Sequence, residues 1–264
     1  IIFILLSLTK VREAIFNCIP PALKYGVTSG IGLFIAFIGL QNAKIVIDGP
    51  FLVALYPFKA ALANGEFYST GIGALLAMVG ILMTAVLTAK KFSGAILYGI
   101  IFTWILGIFC EITGVYVPNP ALGMHSVLPD FSLGMGIPSV APTFMQFDFS
   151  AVMSFNFVAV MLSFMFVDLF DTIGTLIGVA SKAKMLDKDG KLPRVRGALL
   201  ADAMATTCGA VLGTSTVTTT VESSAGVAAG GRTGLTALTV AALFLLSIFF
   251  APLFLAVPLF ATAP

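Results

Sequence analysis

The stretch from Leu235 to Pro258 contains no charged residue, and any fold must accommodate it before anything else. Its length fits the ~20 apolar residues a helix needs to cross the ~30 Å hydrocarbon core of a bilayer. Gly71–Ala89, Phe92–Cys110 and Ala151–Val167 are runs of the same kind. The whole chain is 59% hydrophobic and 10% charged, with a mean hydropathy of +1.07. A soluble domain keeps about 25% charged residues, so this chain cannot cover its surface in water and reads as an integral membrane protein. The runs are continuous rather than alternating, which points to helices and not to a barrel. The 26 glycines suit closely packed helix interfaces. Cys18, Cys110 and Cys208 have no metal or disulfide spacing and read as small apolar packing residues.

Basic residues in short loops mark the cytoplasmic side. Lys10, Arg12 and Lys24 flank the amphipathic "TKVREAIFNCIPPALK", which this rule places on the inner surface. Tyr25–Leu40 then crosses outward, and the loop with Lys44, Asp48, Lys59 and Glu66 holds short interfacial or re-entrant pieces. Gly71–Ala89 returns to Lys90 and Lys91. No Lys or Arg occurs between Phe92 and Ser181, so 113–149, with the solvated His125, reads as an external loop. Ala151–Ser181 leads back to six basic residues in the inside loop 182–196; it is long for one crossing, and a bend or tilt near Asp168–Gly174 is expected. Gly197–Leu212 goes out again. Ile1–Leu8 reads as the tail of an earlier membrane helix. No linker divides 1–264 into separate domains, and "DKDG" at Asp187–Gly190 reads as a solvated turn.

Four acids lie within or beside apolar segments: Asp168, Asp171, Asp202 and Glu222. A carboxylate at the bilayer centre costs ~2.5–3.5 kcal/mol on insertion scales and usually faces a polar cavity. Asp202 reads equally well as a helix-end acid at the interface. In "FVDLFDTIGTLIG", Asp168 and Asp171 share one side of a helix; two charges there repel, which favours a proton on one. Thr172 and Thr175 add hydroxyls, and Gly174 and Gly178 leave room for a neighbour. "GTSTVTTTVESSAGVAAGGRTG" departs from a spanning helix altogether. Its β-branched Thr214–Val221 favours extended backbone, and the small residues from Ser223 to Ala229 suit a short helix beginning near Glu222. Such breaks survive at membrane depth only where they line a cavity or are buried in protein. Transporters hold substrate at them, with unpaired N–H groups and a positive dipole end as the polar surface. A phosphate loop needs GxxxxGK[ST], which is absent. Carboxylates beside backbone amides suit a flat heterocycle with donors and acceptors on its edge, and Phe164, Phe166 and Phe170 offer faces for stacking.

"FVDLFDTIGTLIG", "DKDGKLPRVRGALLADA", "GTSTVTTTVESSAGVAAGGRTGLTA" and "VREAIFNCIPPALKYGVTSGIGLFIAFIGLQNAKIV" together resemble the AzgA-like purine permeases of the nucleobase–cation symporter-2 superfamily. The resemblance covers essentially the whole chain. It implies an all-α membrane protein, part of a seven-plus-seven inverted repeat with interleaved core and gate elements and a discontinuous helix containing a short extended segment. By it, this chain lacks the N-terminal helices and the C-terminal end. It implies import of a purine nucleobase coupled to protons or sodium, at the plasma membrane, as a multi-pass protein and possible homodimer. No cofactor, metal or nucleic acid is implied. Substrate would lie between Asp171 and Glu222, with Asp168 the fallback for the first acid. Thr175 stands where pyrimidine-carrying relatives have a His. Thr220, Val221 and Ser223 would complete the pocket, Val221 and Ser223 as backbone donors, and Asp171 or Asp168 would carry the proton. Adenine and guanine/hypoxanthine both remain as substrates. The alternatives are xanthine, uracil or an anion on the same fold, a channel, and, outside transport, an intramembrane aspartyl protease, although the GxGD context of such enzymes is absent.

Overall fold

Pro21 opens the first long helix at a position where the missing N–H costs nothing, and no charge but Lys24 interrupts it before Asn42. The computed structural model describes residues 2–131, 136, 139–148, 150, 154–188 and 191–264. Parts of the expected loops 113–149 and 182–196, the end of "DKDG" and the start of the span expected from Ala151 lie outside them. The elements in chain order are α1 (Ile2–Leu8), α2 (Val11–Cys18), α3 (Pro21–Asn42), β1 (Val46–Gly49), β2 (Leu52–Leu55), α4 (Phe58–Asn64), α5 (Thr70–Ala89), α6 (Ala95–Ile112), α7 (Phe155–Lys182), α8 (Val195–Leu212), α9 (Ser223–Ala228), α10 (Gly234–Ser247), α11 (Ala251–Leu255) and α12 (Leu259–Thr262). Among the described residues six helical stretches are long and apolar enough to cross a membrane: α3, Glu66–Ala89, α6, Asn156–Lys182, α8 and Gly234–Leu255. Their apolar side chains are mostly exposed, as a face turned to lipid requires.

One feature differs from the all-α expectation. The segment after α3 contains an antiparallel hairpin, with Val46 opposite Leu55 and Gly49 opposite Leu52; the β-branched Val46, Ile47 and Val53 favour extended backbone, and the two residues Pro50 and Phe51 join the strands. The long segment that ends near Ser181 is uninterrupted helix for 28 residues, α7 running through Asp168–Gly174. At 1.5 Å per residue it is ~42 Å long, so it tilts or extends beyond the hydrocarbon layer.

The chain divides into two interleaved units, Ile1–Leu33 with Pro138–Ala237, and Phe34–Ile137 with Leu238–Pro264. In the second, Phe260 of α12 packs into the α5–α6 pair, where Gly73 and Gly107 give it space: a Cβ on either would lie 3.4 and 3.0 Å from its ring. Glu111 holds the following loop by accepting from Ser126 Oγ at 2.6 Å and the Val127 amide at 2.8 Å. Tyr116 donates to the His125 carbonyl at 2.9 Å; burial first, then the Glu111 carboxylate, pushes its phenol up to about 12, so it stays protonated as a donor. Helices α5 and α6 approach through Gly80 against Thr103 and Gly99 against Thr84. A Cβ on Gly80 would meet Thr103 Oγ1 at 2.5 Å and Pro264 at 2.9 Å. Gly80→Leu is therefore expected to cost about 1–3 kcal/mol by overpacking, seen as a smaller monodisperse fraction after extraction; an unchanged yield and melting temperature would refute that packing.

In the first unit, Leu169, Ile173 and Ile177 recur every four residues along α7 and pack with Phe16, Val195 and Leu199. Gly174 and Gly178 do receive a neighbour, the first half of α3: Thr28 donates to the Gly174 carbonyl at 2.9 Å, and a Cβ on Gly178 would lie 2.9 Å from Thr28. The basic residues assigned to the inner surface behave differently from one another. Lys10 is exposed, but Arg12 and Lys24 are 1% and 3% exposed. Arg12 and Phe16, one turn apart, form the inner face of α2, and Lys24 Nζ lies 4.6 Å over the Phe16 ring. Cys18 and Cys208 are exposed rather than packed, and Cys110 is half-buried.

Candidate functional site

Helix α8 stops at Gly213, whose φ of +82° turns the chain back through the left-handed region at little cost. Residues 214–220 then run without regular structure and Glu222 caps the six-residue α9, so the discontinuous segment read from the sequence is present. It is held from two sides. Toward α8, Thr206 Oγ1 donates to the Val217 carbonyl at 2.6 Å, and glycine at 209 admits Val217, whose Cγ2 would lie 2.9 Å from a Cβ there. Toward α7, Thr216 Oγ1 donates to Asp168 Oδ1 at 2.9 Å, and the hydroxyls of Thr218 and Thr172 are 3.3 Å apart. Thr216 and Thr218 thus present one face to α7, as alternation in extended backbone requires.

Behind Thr172 lies an ion pair that the sequence reading missed. Arg12 Nη2 is 2.7 Å from Asp202 Oδ2 and 3.4 Å from Thr172 Oγ1, while Nη1 donates to the Leu199 carbonyl at 3.0 Å. The guanidinium face rests 4.2 Å over the Phe3 ring. Asp202 is therefore buried inside α8, not an interfacial helix-end acid. Asp202 Oδ1, Asp168 Oδ2 and Arg12 Nε are buried without a partner among the described residues.

The expected binding residues fall into two groups. Asp171 is half-buried and Glu222 exposed, and neither carboxylate makes a hydrogen bond among the described residues. The backbone N–H groups of 215–222, Val221 included, also have no partner there. In contrast, Ser223 donates its N–H to the Thr220 carbonyl at 3.2 Å, so that amide is already engaged in the turn; the open amides lie upstream of it. Thr220 Oγ1 is 3.3 Å from Ser223 Oγ. Thr175, 5% exposed, donates to the Asp171 carbonyl at 2.8 Å, which ties its hydroxyl to its own helix. Phe164, Phe166 and Phe170 are 70%, 55% and 43% exposed along α7, and none of them has an aromatic ring contact among the described residues. What the arrangement offers chemically is two open carboxylates, a row of open amide donors and a hydroxyl-lined α7 face.

A family model described as Permease family matches residues 1–264. The chain is 47% identical over 254 residues to the guanine/hypoxanthine permease PbuO of Bacillus subtilis, covering 96% of this chain and 54% of that protein. It is 40% identical over 266 residues to guanine/hypoxanthine permease PbuG of the same organism, covering 100% of this chain and 55% of the relative. To the adenine permease AdeQ of Escherichia coli it is 38% identical over 259 residues, 98% of this chain and 53% of the relative. The chain thus spans about half the length of the curated relatives it matches.

Proposed function

We propose a function on one premise: this chain belongs to the Permease family, and it is a multi-pass membrane protein of the transporting, not the enzymatic, kind. Our reading is that it imports a purine nucleobase across the plasma membrane together with a proton. The observation that carries it is one break in the membrane-spanning helices whose amides at 215–222 and whose Glu222 carboxylate have no partner among the described residues, and which α7, the helix of Asp171, touches through Asp168 and Thr172. A neutral purine carries ring N–H donors and carbonyl or ring-nitrogen acceptors, so Asp171 and Glu222 take the donors, and the amides of Val221 and its upstream neighbours satisfy the acceptors. Thr220 lines the same turn. Polar groups that a bound base covers without pairing cost ~1–3 kcal/mol each, so a base that pairs them all is selected over one that leaves some unpaired. The proton rides on Asp171 in this reading, lowering the charge that must pass a low-dielectric barrier. We assign the unit that bears the break as the core and the other as the gate; their interleaving along the chain supports this.

The test is uptake of radiolabelled hypoxanthine by cells expressing the protein, with adenine, guanine, xanthine and uracil as competitors. Saturable uptake competed by purines and not by uracil is expected, collapsing with a protonophore and indifferent to sodium. Uptake that does not saturate, or that follows uracil, would overturn the substrate; dependence on sodium would overturn the coupling ion.

A further inference from the structure

We propose that Arg12 is a positioning residue of this site: anchored on Asp202, it holds Thr172 against Thr218 and so fixes the extended segment on which the substrate rests. The proposal builds on the purine-site reading above. It starts from hydrogen-bond direction. A guanidinium can only donate, and a hydroxyl has one hydrogen and two lone pairs. Where Arg12 Nη2 meets Thr172 Oγ1 at 3.4 Å, Thr172 must be the acceptor. Its own hydrogen then goes to Thr218 Oγ1 at 3.3 Å or to the Asp202 carboxylate beside it, and in the second case Thr172 accepts from both Arg12 and Thr218. In either arrangement Thr172 links the Arg12–Asp202 pair to Thr218. Two residues earlier, Asp168 fixes Thr216 in the same sense, because a carboxylate accepts from it at 2.9 Å. The extended segment is therefore pinned at two successive α7-facing side chains, one of them by a charge on α2 that touches no part of the proposed pocket.

A buried ion pair alone gives no such explanation, since apolar pairs of similar volume often stabilise a fold as well or better. What an apolar pair cannot do is orient Thr172. The two roles separate in the double variant Arg12→Met/Asp202→Leu, which removes both charges together. We expect it to fold, with the half-saturation concentration for hypoxanthine raised about tenfold, the worth of one oriented hydrogen bond, and with maximal uptake per folded protein within about twofold of wild type. Thr172→Val should raise half-saturation similarly, and the triple variant no further, because all three changes cut one chain of contacts. Amide hydrogen exchange supplies a readout that needs no transport: the hydrogen-bonded amides at the two ends of the segment, Thr214 and Ser223 to Ala225, should exchange about tenfold faster in the double variant, with α5 and α6 unchanged. Wild-type half-saturation together with wild-type exchange, or effects of Arg12/Asp202 and Thr172 that simply add, would overturn the proposal. If the double variant does not accumulate, Arg12→Lys carries the same test. Its single ammonium stays with Asp202 but lacks the fork that reaches Thr172, so raised half-saturation in a folded protein is expected and an unchanged value refutes the idea. Should the wild type show no saturable purine uptake, the functional reading fails, while the exchange comparison still decides the role of Arg12.

Discussion

Glu222→Gln is expected to reach the membrane in wild-type amount and to lose roughly 10–150-fold of its purine uptake, the worth of a charge-assisted hydrogen bond of ~1.5–3 kcal/mol. The asymmetry between fold and function follows from the surroundings of this carboxylate. It is exposed, caps α9 without a side-chain bond to the helix, and forms no ion pair among the described residues. Nothing in the protein is left unsatisfied when the charge is removed, so stability has little to lose. The substrate has much to lose, because the amide keeps one acceptor oxygen but not the charge that strengthens its bond to a purine N–H, and it turns a donor toward the base in place of the second oxygen. Asp171→Asn should act in the same direction, with the pH dependence of uptake flattened as well if that carboxyl carries the proton. Asp168→Asn is the informative contrast: it weakens the anchor to Thr216 and should raise half-saturation while leaving pH dependence intact. Initial rates over a range of hypoxanthine concentrations and pH values, normalised to folded protein, decide between these. A Glu222→Gln protein with half-saturation and maximal rate within about twofold of wild type would remove this residue from the site.

How far the sequence reveals this arrangement depends on the range of the physics involved. The break after Leu212 is legible because every cause is local: Gly213 permits positive φ, Thr214–Thr220 resist helix, and the small residues after Glu222 restart it. The spans are legible for the same reason, since hydropathy is a property of each run by itself. Arg12 is not. Its position in an amphipathic, basic stretch suits the membrane surface, and only the fold carries it to Asp202, 190 residues away. A signal was present in the spacing of Arg12 and Phe16, which puts the charge on the apolar face of α2, and in an acid midway along the apolar α8 with no base three or four residues from it. Ser223 fails differently. Sequence places its amide at a helix start, where N–H groups are normally open, but the turn into α9 is tight enough for Thr220 to accept it. The hairpin at Val46–Leu55 shows a third limit, because short apolar runs in a loop cannot be assigned to strand or helix by periodicity alone.

Arg12→Gln should damage the protein before it damages transport. The single change leaves Asp202 buried, with one oxygen already unpartnered and the other deprived of its bond at 2.7 Å. Breaking a buried pair in this way costs about 3–5 kcal/mol, against a total stability of roughly 5–15 kcal/mol for an ordinary domain. A loss of that fraction depletes folded protein in the cell, and the survivors should melt well below wild type when purified in detergent. Asp202→Asn should be milder, since the amide oxygen can still accept from the guanidinium while Leu199 continues to receive Nη1. Lys10→Gln, at an exposed neighbour in the same stretch, should be silent, which separates burial of a charge from loss of positive charge near the surface. The Met/Leu double variant should recover most of the lost melting temperature, as removal of both charges relieves the uncompensated one. If Arg12→Gln accumulated and melted like wild type, the guanidinium would not be holding Asp202 in a dry environment, and the buried polar chain from α2 to the extended segment would lose its first link.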